Sequence, residues 1–499
     1  MRLDILIPII LYLLATLLVG SYFHKHLKNN KSSFHEEFFV GGRSLGPLVL
    51  AFTMVASAAS AGTFIGATGV GYEQGFSWPL VIACQTAMGV YILGILGKKF
   101  AIISRRIGAV TITDFLKERY QSHAVIIASA LGILIFISAY MVAQFAGGAR
   151  ILEAVTGFPY QWGLLIFGAV VVLLTVFGGY RGVAITDAIQ GFAMLLGGVL
   201  VWVIIMVKTN GFEAIVSQLT IDHPEMVTLP GASGVTPTLL FSYFLLFGIA
   251  MIGLPHAAVR GMTFKDSKSM HKGMIYAVII MGLFSIGFAS IGPLVRVLLP
   301  GVEVPDMALI LLIVELVPGW LAGLILAAPL AAIISTVDSM LLVTSSTIVK
   351  DLFLNYINPN ASERTVTNLS YFSTLFIGTA VVLIALTPPE LIQFVVIFAI
   401  GGLEATLFAV IVFGLYWKRA NKWGAIASMT IGFVSYVAAT MMFENPFGMD
   451  PIGISLFLNI TSMIVFSYMT EKPSFEIINK FWGAEPSPKI NQVNKNIAK

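Results

Sequence analysis

Apolar residues run along this chain in stretches of about twenty, separated by short clusters of charge. A helix needs about 20 such residues to cross the hydrocarbon core of a bilayer. Thirteen segments qualify: 4–23, 46–71, 77–98, 124–147, 161–178, 184–207, 238–256, 274–298, 320–347, 367–386, 391–416, 424–442 and 452–469. The pattern predicts an all-α polytopic membrane protein with 13 transmembrane helices. Two segments depart from plain hydropathy: the second is packed with small residues, and the ninth follows a separate apolar stretch, Met307 to Val317, that ends at Pro318. A single transmembrane domain is expected over 1–469, with a solvated tail over 470–499. The first run, Asp4 to Phe23, lacks a basic flank and an A-x-A cleavage site, and reads as a retained helix rather than a signal peptide.

Thirteen crossings place the termini on opposite sides, so Lys and Arg should gather in alternate loops. Of the 29 basic residues, all but Arg2, Arg150, Lys208 and Arg296 fall in one set of loops and the tail. The expected topology is an N-terminus outside and a C-terminus in the cytoplasm, across the cell membrane. On the cytoplasmic side, Arg105 to Tyr120 reads as an amphipathic helix on the inner leaflet. The Asn360-Ala361-Ser362 sequon on that side carries no meaning.

Composition agrees and excludes much else. The chain has 499 residues, 57% hydrophobic and 11% charged, with a mean hydropathy of +0.91, whereas a soluble chain carries about 25% charged residues. That rules out a soluble enzyme, a nucleic-acid binder and a disordered scaffold, and makes the lipid bilayer the expected surroundings. The single cysteine, Cys84, excludes a disulfide framework and a Cys-based metal site. HExxH, GxxxxGK[ST] and GxSxG are absent, and Gly69, Gly71 and Gly75 lack dinucleotide-loop spacing. No catalytic residue and no cofactor are assigned.

Candidate chemistry comes from polar groups at membrane depth. Three acids, Asp187, Asp338 and Glu404, have no basic neighbour at helical spacing, and an ionisable group inside a bilayer is by default an ion or substrate site. Two of them have a plainer reading as well: Asp187 as a helix cap, Glu404 as a protonated structural acid. Around Asp338, the residues Ala332, Ser335, Thr336 and Ser339 follow i, i+3, i+4, i+7 spacing and share a helix face. Carbonyls, hydroxyls and a carboxylate are the hard oxygen donors a small alkali cation needs. The same hydroxyls can return bonds to their own helix and let helices pack closely. The second segment reads Ala56-Ser-Ala-Ala-Ser-Ala-Gly62, then Gly66, Gly69 and Gly71. A helix this rich in small residues either packs closely or breaks at the midplane, where freed carbonyls bind a cation and a half-helix N-terminus an anion.

Phe39-Val-Gly-Gly-Arg-Ser-Leu-Gly-Pro47 before the small-residue segment, together with Ala331-Ala-Ile-Ile-Ser-Thr336, resembles the sodium:solute symporter family. Leu93-Gly-Ile-Leu-Gly-Lys-Lys-Phe100, Val142-Ala-Gln-Phe-Ala-Gly-Gly-Ala-Arg150, Gly253-Leu-Pro-His-Ala-Ala-Val-Arg260, Phe264-Lys-Asp-Ser-Lys268, Leu326-Ala-Ala-Pro329 and Gly401-Gly-Leu-Glu404 are similar to its sodium/pantothenate branch. The resemblance spans nearly the whole chain except the tail. It implies one leading helix (4–23), two inverted five-helix repeats (46–207 and 238–416) and two trailing helices (424–469). It implies Na+ as coupling ion and import of a small organic anion, pantothenate being favoured, by alternating access. A same-family symporter for another small carboxylate or an amino acid, or a proton-coupled version, is the alternative. By motif position the family's sodium site falls on Ala56, Ala59, Ala332, Ser335 and Thr336. A second cation, as in some members, would fall on Asp187, Asp338 and Ser339 beside Ser335; Asp338 and Ser339 depart from the pantothenate members. Substrate candidates by depth and polarity are Ser57, Thr63, Gln85, Gln144, Ser242, Tyr243 and Glu404.

Overall fold

The computed structural model describes residues 1–26, 45–229 and 234–483 and, within these, all side chains but those of 17, 19–26, 57 and 177–188. The described residues form helices, with one isolated bridge between Leu45 and Phe264. Among the described residues nine helices are long and apolar enough to cross a membrane, and the bent pair Pro237–Gly253 and Pro255–Met262 makes ten if it counts as one span. The three remaining predicted segments fall on the shorter apolar stretches Leu3–Thr16, Pro47–Ala56 and Tyr160–Val176. Helix starts follow local chemistry. Thr111, Asp266, Ser362, Asn421, Asp450 and Ser474 each accept a hydrogen bond from a first-turn amide. Pro47, Pro237 and Pro451 occupy the first turn, where a missing N–H costs nothing.

Two helices form the centre. In Gly319–Ser346, continued to Ile357, and in Ile392–Tyr416, 83% of the most apolar window is buried, against 33% in Glu363–Ile384 and Lys422–Met442. A helix that is apolar all round belongs inside, and a half-covered one offers its other side to lipid. Helix Tyr160–Lys208 packs along Gly319–Ser346, and His123–Thr156 packs along Ile392–Tyr416. The second predicted segment is split into Pro47–Ala58, a π-helical turn Gly62–Gly66, and Ala67–Gln74, with Ser267–Leu298 packed along both halves. Close approach on that flank depends on glycine: a Cβ at Gly71 would meet the carbonyl of Ala289, and one at Gly292 the backbone of Thr68 to Tyr72.

One expectation is corrected. Arg105 to Tyr120 is not a single surface helix: Lys98–Ile107 ends at Gly108 with φ +70°, and Ile112–Tyr120 begins at a Thr111–Asp114 capping box. The second piece turns inward. Arg119, only 1% exposed, donates from Nε to the Gly414 carbonyl at 2.9 Å, and from Nη2 to Ala420 at 2.8 Å and Trp417 at 3.1 Å. It thereby satisfies the end of Ile392–Tyr416, whose last carbonyls have no helical partner.

Replacing Arg119 with Leu leaves three carbonyls without their donor, at about 1–3 kcal/mol for each one that stays dry. Thermal unfolding of the detergent-solubilised protein should fall well below wild type. An unchanged midpoint would mean that water replaces the guanidinium.

Candidate functional site

The site grows from the break in the second segment. Pro47–Ala58 stops because Ala59 turns extended, at φ −72° and ψ 123°, and the chain resumes helical form only beyond Ser60. A break in apolar surroundings leaves amides and carbonyls that other groups must satisfy. On the amide side, Ser60 N donates to Thr63 Oγ1 at 3.3 Å, Ala61 N to Gln144 Oε1 at 2.8 Å and Gly62 N to Ser60 Oγ at 3.1 Å. On the carbonyl side, Ser335 Oγ donates to Ala56 at 3.0 Å and also to its own Ala332 at 3.0 Å, and Thr336 Oγ1 donates to Ala59 at 3.1 Å. All five of these residues are fully buried. Three carbonyls and two hydroxyls from two helices thus converge at the break.

The predicted second group is only partly described. Thr175 Oγ1 donates to Asp338 Oδ1, and Arg260 Nη2 reaches Ser339 Oγ at 3.4 Å. The side chains of Asp187 and Ser57 lie outside the described residues.

Beside the break is a small cavity, lined on its polar side by Ser60, Thr63, Gln85, Tyr140, His256 and Gln393 and otherwise by apolar groups such as Phe247, Met251 and Val396. Of the sequence candidates, Thr63 and Gln85 line it. Gln144 stands behind the wall as the cap on Ala61. Three are elsewhere. Ser242 accepts from the Asp450 amide at 2.8 Å, Tyr243 packs edge-on to Trp78, and Glu404, 0% exposed, lies one turn beyond the lining residue Ile400. Sequence reasoning missed Ser60, Tyr140, His256 and Gln393. Ser60 was inside the small-residue run and His256 directly follows Pro255, where the bent span breaks; either break was a usable signal. His256 Nδ1 and Gln393 Oε1 are buried without a hydrogen-bond partner among the described residues, as suits groups kept for a solute.

His256 also lines a second space, which leads toward the basic face between Thr111, Thr113, Arg260, Ser339 and Asp351. The opposite end holds a buried acid. There Asp306 Oδ2 accepts from the Ile392 amide at 2.9 Å, tying the segment before Ala308–Leu316 to the start of Ile392–Tyr416. Its carboxyl also sits against Gly69, where any Cβ would collide with it. Burial pushes the Asp306 carboxyl up to about 7, against the Ile392 amide and Arg150, with Glu73 adding to the rise.

The folded chain holds the Asp306 proton more tightly than an unfolded aspartate of pKa about 3.9 does. Its contribution to stability is therefore complete below about pH 4 and lost as pH rises through about 7. Between pH 5 and pH 8 the thermal midpoint of Asp306→Asn should fall less than that of wild type, since Asn keeps an acceptor for Ile392 and cannot ionise. Parallel slopes would place the titration elsewhere.

Over 468 residues, 93% of this chain and 96% of the relative, the sequence is 39% identical to a sodium/pantothenate symporter of Escherichia coli (strain K12). It is 38% identical over 476 residues to one of Haemophilus influenzae, covering 95% of this chain and 98% of that one. A solved structure, a Na+-coupled sialic acid symporter in a substrate-bound outward-open state, shares the fold with a TM-score of 0.77 at 19% identity, covering 94% of this chain and 99% of that one. The model of the Sodium:solute symporter family matches residues 38–432. A multi-pass helical membrane protein with this broken helix and this match across most of its length belongs to the sodium:solute symporter family.

Proposed function

We propose that the chain is a sodium-coupled symporter that imports pantothenate by alternating access. The observation that carries the reading is the meeting of the Ala56, Ala59 and Ala332 carbonyls with the Ser335 and Thr336 hydroxyls. Na+ would take these oxygens in place of its water and so fix the broken helix against Gly319–Ser346. A fixed break would hold Ser60 and Thr63 toward the cavity, which makes sodium favour the substrate-competent state; that differential, and its reciprocal, is what coupling requires. The names of the two relatives support pantothenate, and so does the cavity lining. Hydroxyl, amide and imidazole groups face a solute with two hydroxyls and an amide, and no Lys or Arg lines that cavity. The carboxylate would then depend on sodium and on the amides at the break for compensation.

The same reading has thirteen crossings in the cell membrane, two inverted repeats over 46–207 and 238–416, the N-terminus outside and the basic face in the cytoplasm. A second cation near Asp338 and Ser339, with Asp187, is part of it. One Na+ with a monoanion moves no net charge, and a second adds one, worth about 2.3 kcal/mol per 100 mV.

In proteoliposomes an inward sodium gradient should drive accumulation of labelled pantothenate. Ser335→Ala with Thr336→Ala should reduce it at least ~10-fold, a loss of about 1.4 kcal/mol or more. No uptake by folded wild type would sink pantothenate as the solute, whereas uptake that ignores sodium would sink the cation site. An inside-negative potential should accelerate wild-type uptake and leave Asp338→Asn unaffected; a wild type indifferent to voltage would reduce the stoichiometry to one sodium.

A further inference from the structure

On the basic face, several cations are used internally. Lys350 pairs with Asp114 at 2.6 Å, Lys480 with Glu118 at 2.5 Å, and Lys117 bonds Asn355 at 2.7 Å. Arg105, Arg106, Arg119 and Arg419 donate to backbone carbonyls. Lys99 and Lys418 differ. Neither is in an ion pair among the described residues, yet they are close enough for the Lys418 charge to act on Lys99. The Lys99 ammonium lies 4.4 Å from the centre of the Tyr416 ring and 5.6 Å from that of Trp482. A basic face explains why lysines are here. It does not explain an ammonium held over two aromatic rings, with a second lysine two residues beyond one of them and neither in an ion pair among the described residues, an arrangement an anion would stabilise.

The surroundings indicate which anion. Lys98–Ile107 continues the apolar span that begins at Ser77, and Ile102, one turn after Lys99 on the same side, is 43% exposed. Tyr416, 46% exposed, ends its own apolar helix and its hydroxyl donates to the carbonyl of Ile95, one turn before Lys99. Trp482 comes from the amphipathic helix Phe475–Trp482. That helix buries Ile477 and Phe481, sets Phe481 edge-on to Phe115, and leaves Phe475 82% exposed. Exposed apolar groups below the ammoniums and aromatic rings beside them are the setting of a lipid headgroup region. A site for a soluble anion would have no use for Ile102 and Phe475.

We propose that Lys99, over Tyr416 and Trp482, and Lys418, two residues beyond Tyr416, hold the phosphate of an anionic phospholipid whose chains lie along Ile102. The bound lipid joins three elements: the end of the Ser77–Ile107 span, the end of Ile392–Tyr416 and the helix Phe475–Trp482. The inference rests on the basic face lying at the membrane surface and does not depend on which solute is carried.

The full-length protein, purified in detergent and mixed with equal amounts of phosphatidylglycerol and phosphatidylcholine, is examined by native mass spectrometry. Wild type should retain phosphatidylglycerol at least ~5-fold over phosphatidylcholine, about 1 kcal/mol of preference. Lys99→Gln/Lys418→Gln should lose that preference. The charge-matched Lys268→Gln/Lys472→Gln should keep it. If the double variant elutes as aggregate, Lys418→Gln alone, at an exposed position, takes its place and should lose at least half of the preference. Millimolar inorganic phosphate should leave the retained lipid in place. Equal loss in both double variants would reduce the effect to overall charge and overturn the proposal, as would undiminished preference without the two lysines. Displacement by inorganic phosphate would reassign the notch to a soluble anion.

Discussion

A backbone cannot stop being helical inside an apolar environment unless something else completes its hydrogen bonds, and the break at Ala59–Ser60 sets the terms for the rest of this structure. The freed amides of Ser60, Ala61 and Gly62 and the carbonyls of Ala56 and Ala59 all have partners, and several of these come from other helices. Gln144, from His123–Thr156, takes the Ala61 amide, while Ser335 and Thr336, from Gly319–Ser346, take the carbonyls of Ala56 and Ala59. These helices must therefore sit where they do, and their arrangement is what encloses the cavity beside Ser60 and Thr63.

The satisfaction is not all of one strength, and that matters for a molecule that has to change shape. The amides are held by neutral acceptors on the broken helix itself and on Gln144. The carbonyls are held by hydroxyls, of which that of Ser335 has a second acceptor in Ala332. A hydroxyl can rotate from donating to one oxygen to donating to another, leaving its lone pairs and the released carbonyl to face a cation. Neutral hydrogen bonds are worth about 1 kcal/mol net each, so the contact between the two helices is firm enough to define a geometry and weak enough to be remade. The two ends of the molecule show the same division. Asp306 and the glycine contacts join helices at one end, while the space under His256 leads toward the other.

How far the sequence could be read depended on whether a residue's role was local. The apolar segments, the basic asymmetry and the helix caps are properties of a few consecutive residues, and they are plain in the chain. Ala56, Ala59, Ala332, Ser335 and Thr336 came from motif positions joined to an i, i+3, i+4 pattern, and the structure brings these five together. Depth and polarity served less well. They selected Thr63 and Gln85, which line the cavity, but equally Ser242, Tyr243 and Glu404, which do not. Hydropathy reports distance from the membrane surface and says nothing of the direction in which a helix faces.

The sequence by itself determined that this chain must live in a bilayer and where its apolar segments lie, and it marked the second segment as one that either packs closely or breaks, because each of these follows from transfer energies and backbone propensities acting over a few turns. Only the tertiary structure decided that the break falls opposite Ser335 and Thr336, that His256 and Gln393 keep unspent polar atoms beside the cavity, that Glu404 is sealed away from it, and that Arg119 turns inward to finish another helix. Those outcomes depend on the rotation of each helix about its axis and on how closely glycine lets backbones approach, and both are set by packing between residues far apart in the chain.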